Sequence, residues 1–395
     1  MYRPAVNSEY RLRAAYPIFK GETMNGFYWI YLVMLAFMLG YEYSGTREQR
    51  RLIYYGARSF LILIFVAQDF SVSIDIAEYM RQWAIIPTLS FQEMLVHKFE
   101  IGYVLLCWVL ERVFSSDRIL LLVLSVLILV PFCKSFEKET ENPMIALMAF
   151  VALGMYMHAI IFWRQLVAMA ILTFSYRFIR ERRLVPFLLT VLLAMTFHKV
   201  SVVFLALYAI YRVPVTKWLL MGCVVCAVIL GFFGGTIIEF GISVLYPRYT
   251  NFPRLSIGGG TLLALLWTVT LLSYWLLRDR MDEERIRLPF LMILIAATIQ
   301  PVCFAFYNFL RVVLFFRIAL VPMTAQLYDA LFQRKEDNKA LALLERYTPA
   351  LYRILLCVYD QKWFQIAAQL ILFAVLFVWY DSELDGAIYV MTPIV

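Results

Sequence analysis

Charge is scarce in this chain. Only 16% of its 395 residues are Asp, Glu, Lys or Arg, against 63% hydrophobic, and the mean hydropathy is +0.75. That leaves too little polar surface to coat a soluble globule, which excludes a water-soluble enzyme or binding module. The net charge of +8 sits in short loops between apolar runs. It forms no single basic stripe, so no nucleic-acid partner is expected. Cysteine is equally uninformative as a framework: Cys107, Cys133, Cys223, Cys226, Cys303 and Cys357 lie nearly all within or beside apolar runs, where a thiol packs as a small hydrophobe. Cys223 and Cys226 form a C-x-x-C, but inside the apolar run from Trp218 to Phe233 with no His or carboxylate nearby. No disulfide, metal centre or cofactor is expected. The triple glycine 258–260 lacks the Lys-Ser sequel of a phosphate loop. The first twenty or so residues are polar and no A-x-A-like site follows the first apolar run, so a cleaved leader is not expected.

What the chain has in abundance is apolar runs of roughly 15 to 20 residues, the length an α-helix needs to cross a bilayer. They fall near 26–41, 53–68, 118–133, 143–161, 163–179, 184–198, 199–212, 216–233, 260–277, 288–306, 310–330 and 364–380. The expected fold is all-α: a polytopic integral membrane protein of about 12 transmembrane helices in a single domain over 1–395. The run from Ile101 to Phe114 is short and ends on Glu111 and Arg112, which fits a re-entrant or interfacial helix better than a crossing.

That choice sets the topology. With 101–114 not crossing, Arg47, Arg50 and Arg51, the cluster Arg177, Arg180, Arg182 and Arg183, then Arg212 and Lys217, and the segments Arg278 to Arg287 and Arg334 to Lys362 all share one side. The positive-inside rule makes that side cytoplasmic. The opposite side receives the loop 69–100, the loop 234–260 and the acidic tail from Asp381 to Asp385. Segment 334–363 is then cytoplasmic. Arg3, Arg11, Arg13 and Lys20 are the exception, falling on the outer side.

Isolated ionisable residues at or near the outer helix ends become the candidate site: Asp75, Glu100, Arg164, His198 and Arg311. Charge at the edge of hydrocarbon is expensive, so such residues read as functional. Arg164 and His198 begin and end an antiparallel pair of runs around the basic turn Arg180 to Arg183, which returns them to one depth. Snorkelling to lipid phosphates is the competing account of each alone. Arg317, nearly two turns beyond Arg311 and on another helix face, reads equally well as a buried structural partner for a carboxylate and is left out of the site.

The same residues carry a resemblance. Asp75-Ile-Ala-Glu-Tyr79 is similar to a D-x-x-x-Y motif, Phe99-Glu100-Ile-Gly102-Tyr103 to F-E-x-G-Y, and Trp163-Arg164-Gln165-Leu-Val-Ala168 to an R-Q-x-x-A helix start. Phe197-His198 followed by Ser201, Tyr249-Thr-Asn251-Phe252 before Gly258-Gly259-Gly260, and Phe309-Leu-Arg311 continue it in order. Together these resemble the EpsG family of Wzy-like polysaccharide polymerases, and the resemblance runs over roughly residues 53 to 330. It implies a GT-C-like membrane glycosyltransferase that joins undecaprenyl-pyrophosphate-linked oligosaccharide repeat units at the outer face of the bacterial cytoplasmic membrane. Exopolysaccharide, capsule and O-antigen are the products the family serves, with a flippase and a chain-length regulator as pathway partners.

Under that implication Arg164, Arg311 and Arg248 hold the pyrophosphate, because a guanidinium pairs with phosphate oxygens in a fixed fork. Asp75 or His198 takes the acceptor proton and Glu100 organises or binds the acceptor. Tyr79, Tyr103 and Tyr249 are candidates to stack on sugars, with Gln165 beside them. Two other classes stay open: a transporter or flippase of lipid-linked glycan, which calls for broken helices that the sequence does not display, and a membrane acyltransferase that modifies glycans.

Overall fold

The computed structural model describes residues 22–70, 73–245, 259–332, 338–359 and 361–388. Within them the chain is helical throughout, with no strand. Helix α1 (Glu22–Tyr43) leads into α2 (Arg47–Ala67). A capping box opens α2, with the Thr46 side chain accepting from Gln49 N–H and the Gln49 side chain answering. Its buried stripe, Tyr54, Ala57, Leu61 and Phe65, repeats at helical spacing and faces the bundle.

The loop expected at 69–100 holds the amphipathic helix α3 (Ile74–Ile85) and the five-residue helix α4 (Phe91–Leu95), followed by α5 (Ile101–Phe114). Helix α5 has the bounds expected of a non-crossing element. Fourteen residues rise only about 21 Å, short of the roughly 30 Å hydrocarbon core. Tyr103, Val104, Cys107 and Leu110 are buried, while Leu105, Val109 and Val113 on the other face stay exposed.

Helix α6 (Asp117–Glu139) is long and apolar enough to span. The next expected span is broken: α7 (Pro143–Ala152) and α8 (Met155–Ile161) meet at 62°. Gly154 turns the corner at φ +73°, and the Tyr380 ring lies where a Cβ would stand, 1.9 Å away. Only glycine fits there. This broken helix was not legible in the sequence.

Helices α9 (Trp163–Thr173), α10 (Tyr176–Arg180) and α11 (Leu184–Met195) come next, then a 3₁₀ segment (Lys199–Phe204) leading into α12 (Leu205–Ile210). After them come α13 (Lys217–Leu245), α14 (Gly260–Leu277), α15 (Glu284–Ile299), α16 (Leu310–Arg317), α17 (Leu320–Phe332), α18 (Lys339–Tyr347), α19 (Pro349–Tyr359) and α20 (Lys362–Ile388). The loop expected from residue 234 begins as a continuation of α13 to Leu245. The segment expected to be cytoplasmic, 334–363, contains α18 and α19.

Among the described residues six helices are long and apolar enough to cross a membrane, or seven with the bent pair, where about a dozen runs were expected. The runs 26–41 and 53–68 fold as the continuous helices α1 and α2, of 22 and 21 residues, which are not among the six, and the rest of the difference lies in interrupted runs. The runs 184–198 and 199–212 fold as helices of twelve residues or fewer, separated by the extended backbone of His198. The run 163–179 is broken near Ser175.

Every residue of α7 from Met144 to Ala152 is buried, as expected of a helix apolar all round at the centre of a bundle. The spanning window of α13, by contrast, is only 17% buried against 83% for α16 and α17, which puts α13 on the periphery.

The basic loops come together by contact. Arg180 pairs with Glu139 and donates to Glu284 O (3.1 Å), Arg285 reaches Glu141 (3.3 Å), and Lys339 reaches Asp279 (2.5 Å). Arg287 donates to the carbonyls of Tyr211 (2.8 Å) and Val213 (2.9 Å), and Arg182 to that of Tyr208. Two of these bonds satisfy the Tyr208 and Tyr211 carbonyls at the C-terminal end of α12, and the third takes Val213 O just past it. The basic residues therefore build this end of the bundle as well as charging it. Arg317 is buried and donates to Leu153 O at the α7–α8 bend (3.4 Å).

Candidate functional site

Five separate stretches of chain deliver the candidate residues to the other end of the bundle. Helix α3 begins at Ser73, whose hydroxyl accepts from Asp75 N–H (3.2 Å), so Asp75 sits in the first turn. Glu100 is the residue before α5. Arg164 and Gln165 open α9, His198 lies between α11 and the 3₁₀ segment, and Arg311 opens α16.

Two ion pairs result, and they differ in exposure. Arg164 binds Glu100, with side chains only 15% and 9% exposed. Arg311 Nη2 lies 3.8 Å from Asp75 Oδ2, with side chains 44% and 40% exposed. The Glu100 carboxylate is further committed: it accepts the Lys199 backbone N–H (3.2 Å) and lies 3.7 Å from His198 Nδ1. Glu100 thus fastens α9 and the His198 turn to the start of α5. Asp75 and Arg311 are the pair a solute can reach.

Close backbone packing supports the fastening. Gly102 N–H donates to Thr196 O (2.7 Å), and a Cβ on Gly102 would lie 2.8 Å from that carbonyl oxygen and 2.4 Å from Thr196 Oγ1. The glycine of the F-E-x-G-Y segment is there because α5 and the turn after α11 touch backbone to backbone.

Aromatic rings floor the site. The Arg164 guanidinium lies over Phe99 (4.1 Å) and Tyr79 (5.7 Å), and Arg311 lies over Phe162 (5.5 Å). Tyr79 stacks on Trp163 (4.9 Å between centroids, 18° between planes) and meets Phe99 and Tyr103 at 5.6 Å each. Tyr79 and Tyr103 are both buried, so neither ring offers a free face to a sugar. Gln165 is also buried, and its Nε2 donates to Arg311 O (2.6 Å). Of the three residues expected to bind substrate, Tyr79 lies under Arg164, Gln165 bonds the Arg311 carbonyl, and Tyr103 packs on the Tyr79 and Phe99 rings.

His198 is buried with its ring parallel to Phe315 (6.1 Å), and neither nitrogen makes a hydrogen bond among the described residues. Arg248 and Tyr249 lie outside the described residues. Among those described, no group of three or more His, Cys, Asp or Glu side chains converges as a metal site would require.

Sequence reasoning missed Phe99, Trp163, Phe162 and Phe315 as the supports of the charged groups. Each stands next to a motif residue or on the same helix as one, and that adjacency was the available signal. Residues 52–367 match the EpsG family. The chain belongs to the EpsG family. This is a Wzy-like polysaccharide polymerase family, and the match takes in every described residue of the site. No curated protein and no solved structure matches the chain. Membership in the EpsG family, together with several apolar helices of spanning length, makes this a multi-pass membrane protein with a polysaccharide-polymerase-type role.

Proposed function

We propose that this EpsG protein extends polysaccharide at the outer face of the bacterial cytoplasmic membrane, transferring a glycan from its undecaprenyl pyrophosphate carrier to the terminal sugar of a second lipid-linked repeat unit. The observation that carries the reading is the exposed Asp75–Arg311 pair set beside the sealed Glu100–Arg164 pair, at the end of the bundle opposite the basic loops. Breaking the glycosidic bond leaves charge on a lipid pyrophosphate, which a permanently cationic fork stabilises as it develops. Arg311 is the reachable fork, and Arg164 adds a fixed positive field one layer below it. Asp75, half-exposed and 3.8 Å from Arg311, is placed to take the acceptor hydroxyl proton. Glu100 holds Arg164 and the His198 turn, and His198 supports from beneath. We further assign the chain a GT-C-like architecture. It combines a helical membrane domain with the amphipathic helix α3 and the short helix α4 at the mouth of the site, and the shorter helix pairs complete the crossings toward about 12. A flippase and a chain-length regulator act beside it.

A second reading, transport of the lipid-linked glycan, is favoured by one observation, the 62° break between α7 and α8. Analysis of lipid-linked glycans in a deletion strain separates the two. Repeat units stalled at length one on the outer face support polymerisation, and units trapped on the cytoplasmic face overturn it. Complementation with Arg311→Lys should restore polymer poorly, because the bidentate fork is lost while the charge remains. Full polymer length with Arg311→Lys would leave the arginine as a simple interfacial charge.

A further inference from the structure

A second polar network lies beside the site, uses none of its charged residues and meets it at Phe99. It starts at Glu78 on α3, one turn beyond Asp75. Arg81 grips its carboxylate with two bonds of 2.9 Å, Gln82 Nε2 donates at 2.9 Å, and Lys98 reaches across from the segment before α5. Burial pulls the Glu78 carboxyl upward, but the hydrogen bonds from Arg81, Lys98 and Gln82 outweigh it and hold it at about 2. Gln82 is itself buried, and with its donor side committed to Glu78 its Oε1 faces His97 Nε2 at 2.9 Å. His97 Nδ1 then accepts the backbone N–H of Phe99 (3.0 Å), and the two rings meet edge to face at 5.5 Å.

The chemistry of this chain of contacts has one consistent protonation state. Gln82 Oε1 only accepts, so His97 carries its proton on Nε2, and Phe99 N–H only donates, so Nδ1 is bare. A proton added to Nδ1 would oppose the Phe99 N–H directly. Phe99 is the residue before Glu100 and the ring beneath Arg164. We propose that Gln82 and His97 are positioning residues, a relay that registers the Phe99–Glu100 segment against the helix carrying Asp75, and that it engages only while His97 Nδ1 is unprotonated. This rests on the reading of Asp75 and Glu100 given above.

The charged groups around His97 set the window. Burial, Lys98 on its own segment and Arg164 from α9 all lower the ring's affinity for a proton, and Glu78 from α3 opposes them. The ring is therefore neutral at pH 7, and the relay fails as the pH falls, on the acid side of the ordinary histidine value near 6.5. Replacing Gln82 by Glu adds a carboxylate at the Nε2 side, which favours the charged ring and moves the failure upward by about one pH unit. Replacing His97 by Asn keeps an oxygen able to accept from the N–H two residues on, as in an Asx turn, and removes the titration.

The test uses the full-length protein in lipid nanodiscs, with two readouts across pH 4.5–8: hydrogen exchange of the peptide covering residues 97–103, corrected for intrinsic rate, and turnover of lipid-linked repeat units. Wild type should lose protection and turnover together on acidification. Gln82→Glu should do so about one unit higher, losing up to about tenfold in turnover at a fixed acidic pH. His97→Asn should keep a reduced turnover with no acid-linked loss of protection. Coincident exchange midpoints in wild type and Gln82→Glu, or an unchanged acid transition in His97→Asn, would overturn the relay. Exchange midpoints that shift while turnover does not follow would uphold the relay and overturn the place of Glu100 in the reaction face.

Discussion

At the scale of single residues, exposure separates carboxylates that composition and spacing leave equivalent. Asp75 and Glu100 each face an arginine, but the Glu100–Arg164 pair is nearly sealed and the Asp75–Arg311 pair is open to solvent. Removing the charge of Glu100 strands a buried guanidinium. Breaking one side of a buried pair costs about 3–5 kcal/mol, whereas an exposed pair contributes under about 1 kcal/mol. Glu100→Gln should therefore lower thermal stability and membrane abundance first, with residual turnover keeping the wild-type pH dependence. Asp75→Asn should leave melting unchanged, lower turnover by about 10²-fold or more, and remove from the acid limb the part that reports the base, leaving the part carried by His97. Thermal unfolding in detergent and a pH–rate profile on each purified variant measure both effects. A stable Glu100→Gln with flattened pH dependence would exchange the two roles. Tyr79, Tyr103 and Gln165 carry the same lesson. Their residue types and motif positions were visible in the sequence, but not which way they faced, because that depends on Trp163, Phe99 and Arg311 arriving from elsewhere in the chain.

Element-scale behaviour turns on where helices stop. The Gly154 corner stores a left-handed backbone, and the Tyr380 ring fills the space beside it. Gly154→Ala asks an alanine to hold φ +73°, a strain of about 1–3 kcal/mol, and also drives its Cβ into that ring. The expected outcome is a fall of several degrees in the melting temperature. Tyr380→Ala in the same chain should recover only part of it, because it relieves the clash and leaves the backbone strain. Full recovery by Tyr380→Ala would show that the corner is held by packing alone. Apolar periodicity made most helices legible, including the short α5 with its bounds, since a run ending on Glu111 and Arg112 signals its own length. The breaks at Gly154, Ser175 and His198 were hidden for a physical reason. Hydropathy is a property of a window, whereas a bend of two or three residues is set by one glycine, one extended residue or one carbonyl claimed by a distant arginine, such as Leu153 O by Arg317.

For the whole molecule, the question is which end faces which compartment. Helix α6 runs from Arg118, which donates to the carbonyls of Val66 (2.7 Å) and Gln68 (2.8 Å) where α2 ends, to Glu139, which binds Arg180. Twenty-three residues rise about 35 Å, enough to cross the hydrocarbon. Helices α9 and α10 return from Arg164 at the site to Arg180 at the far end, about 24 Å by the same rise. The site and the basic loops therefore lie at opposite ends of the bundle, and every basic loop tied by Arg180, Arg182, Arg285, Arg287 and Lys339 belongs to one end. In the orientation proposed above, positive-inside bias puts that end in the cytoplasm and α3 and α4 outside. In a background with the native cysteines replaced, Ser90→Cys should react with a membrane-impermeant maleimide in intact cells. Arg183→Cys, exposed at the other end, should react only after the membrane is opened. Labelling of Arg183→Cys from outside would invert the protein and place the Asp75–Arg311 pair in the cytoplasm. There it would meet nucleotide sugars rather than translocated lipid-linked glycans, and the polymerase reading would have to yield to a different glycosyl donor.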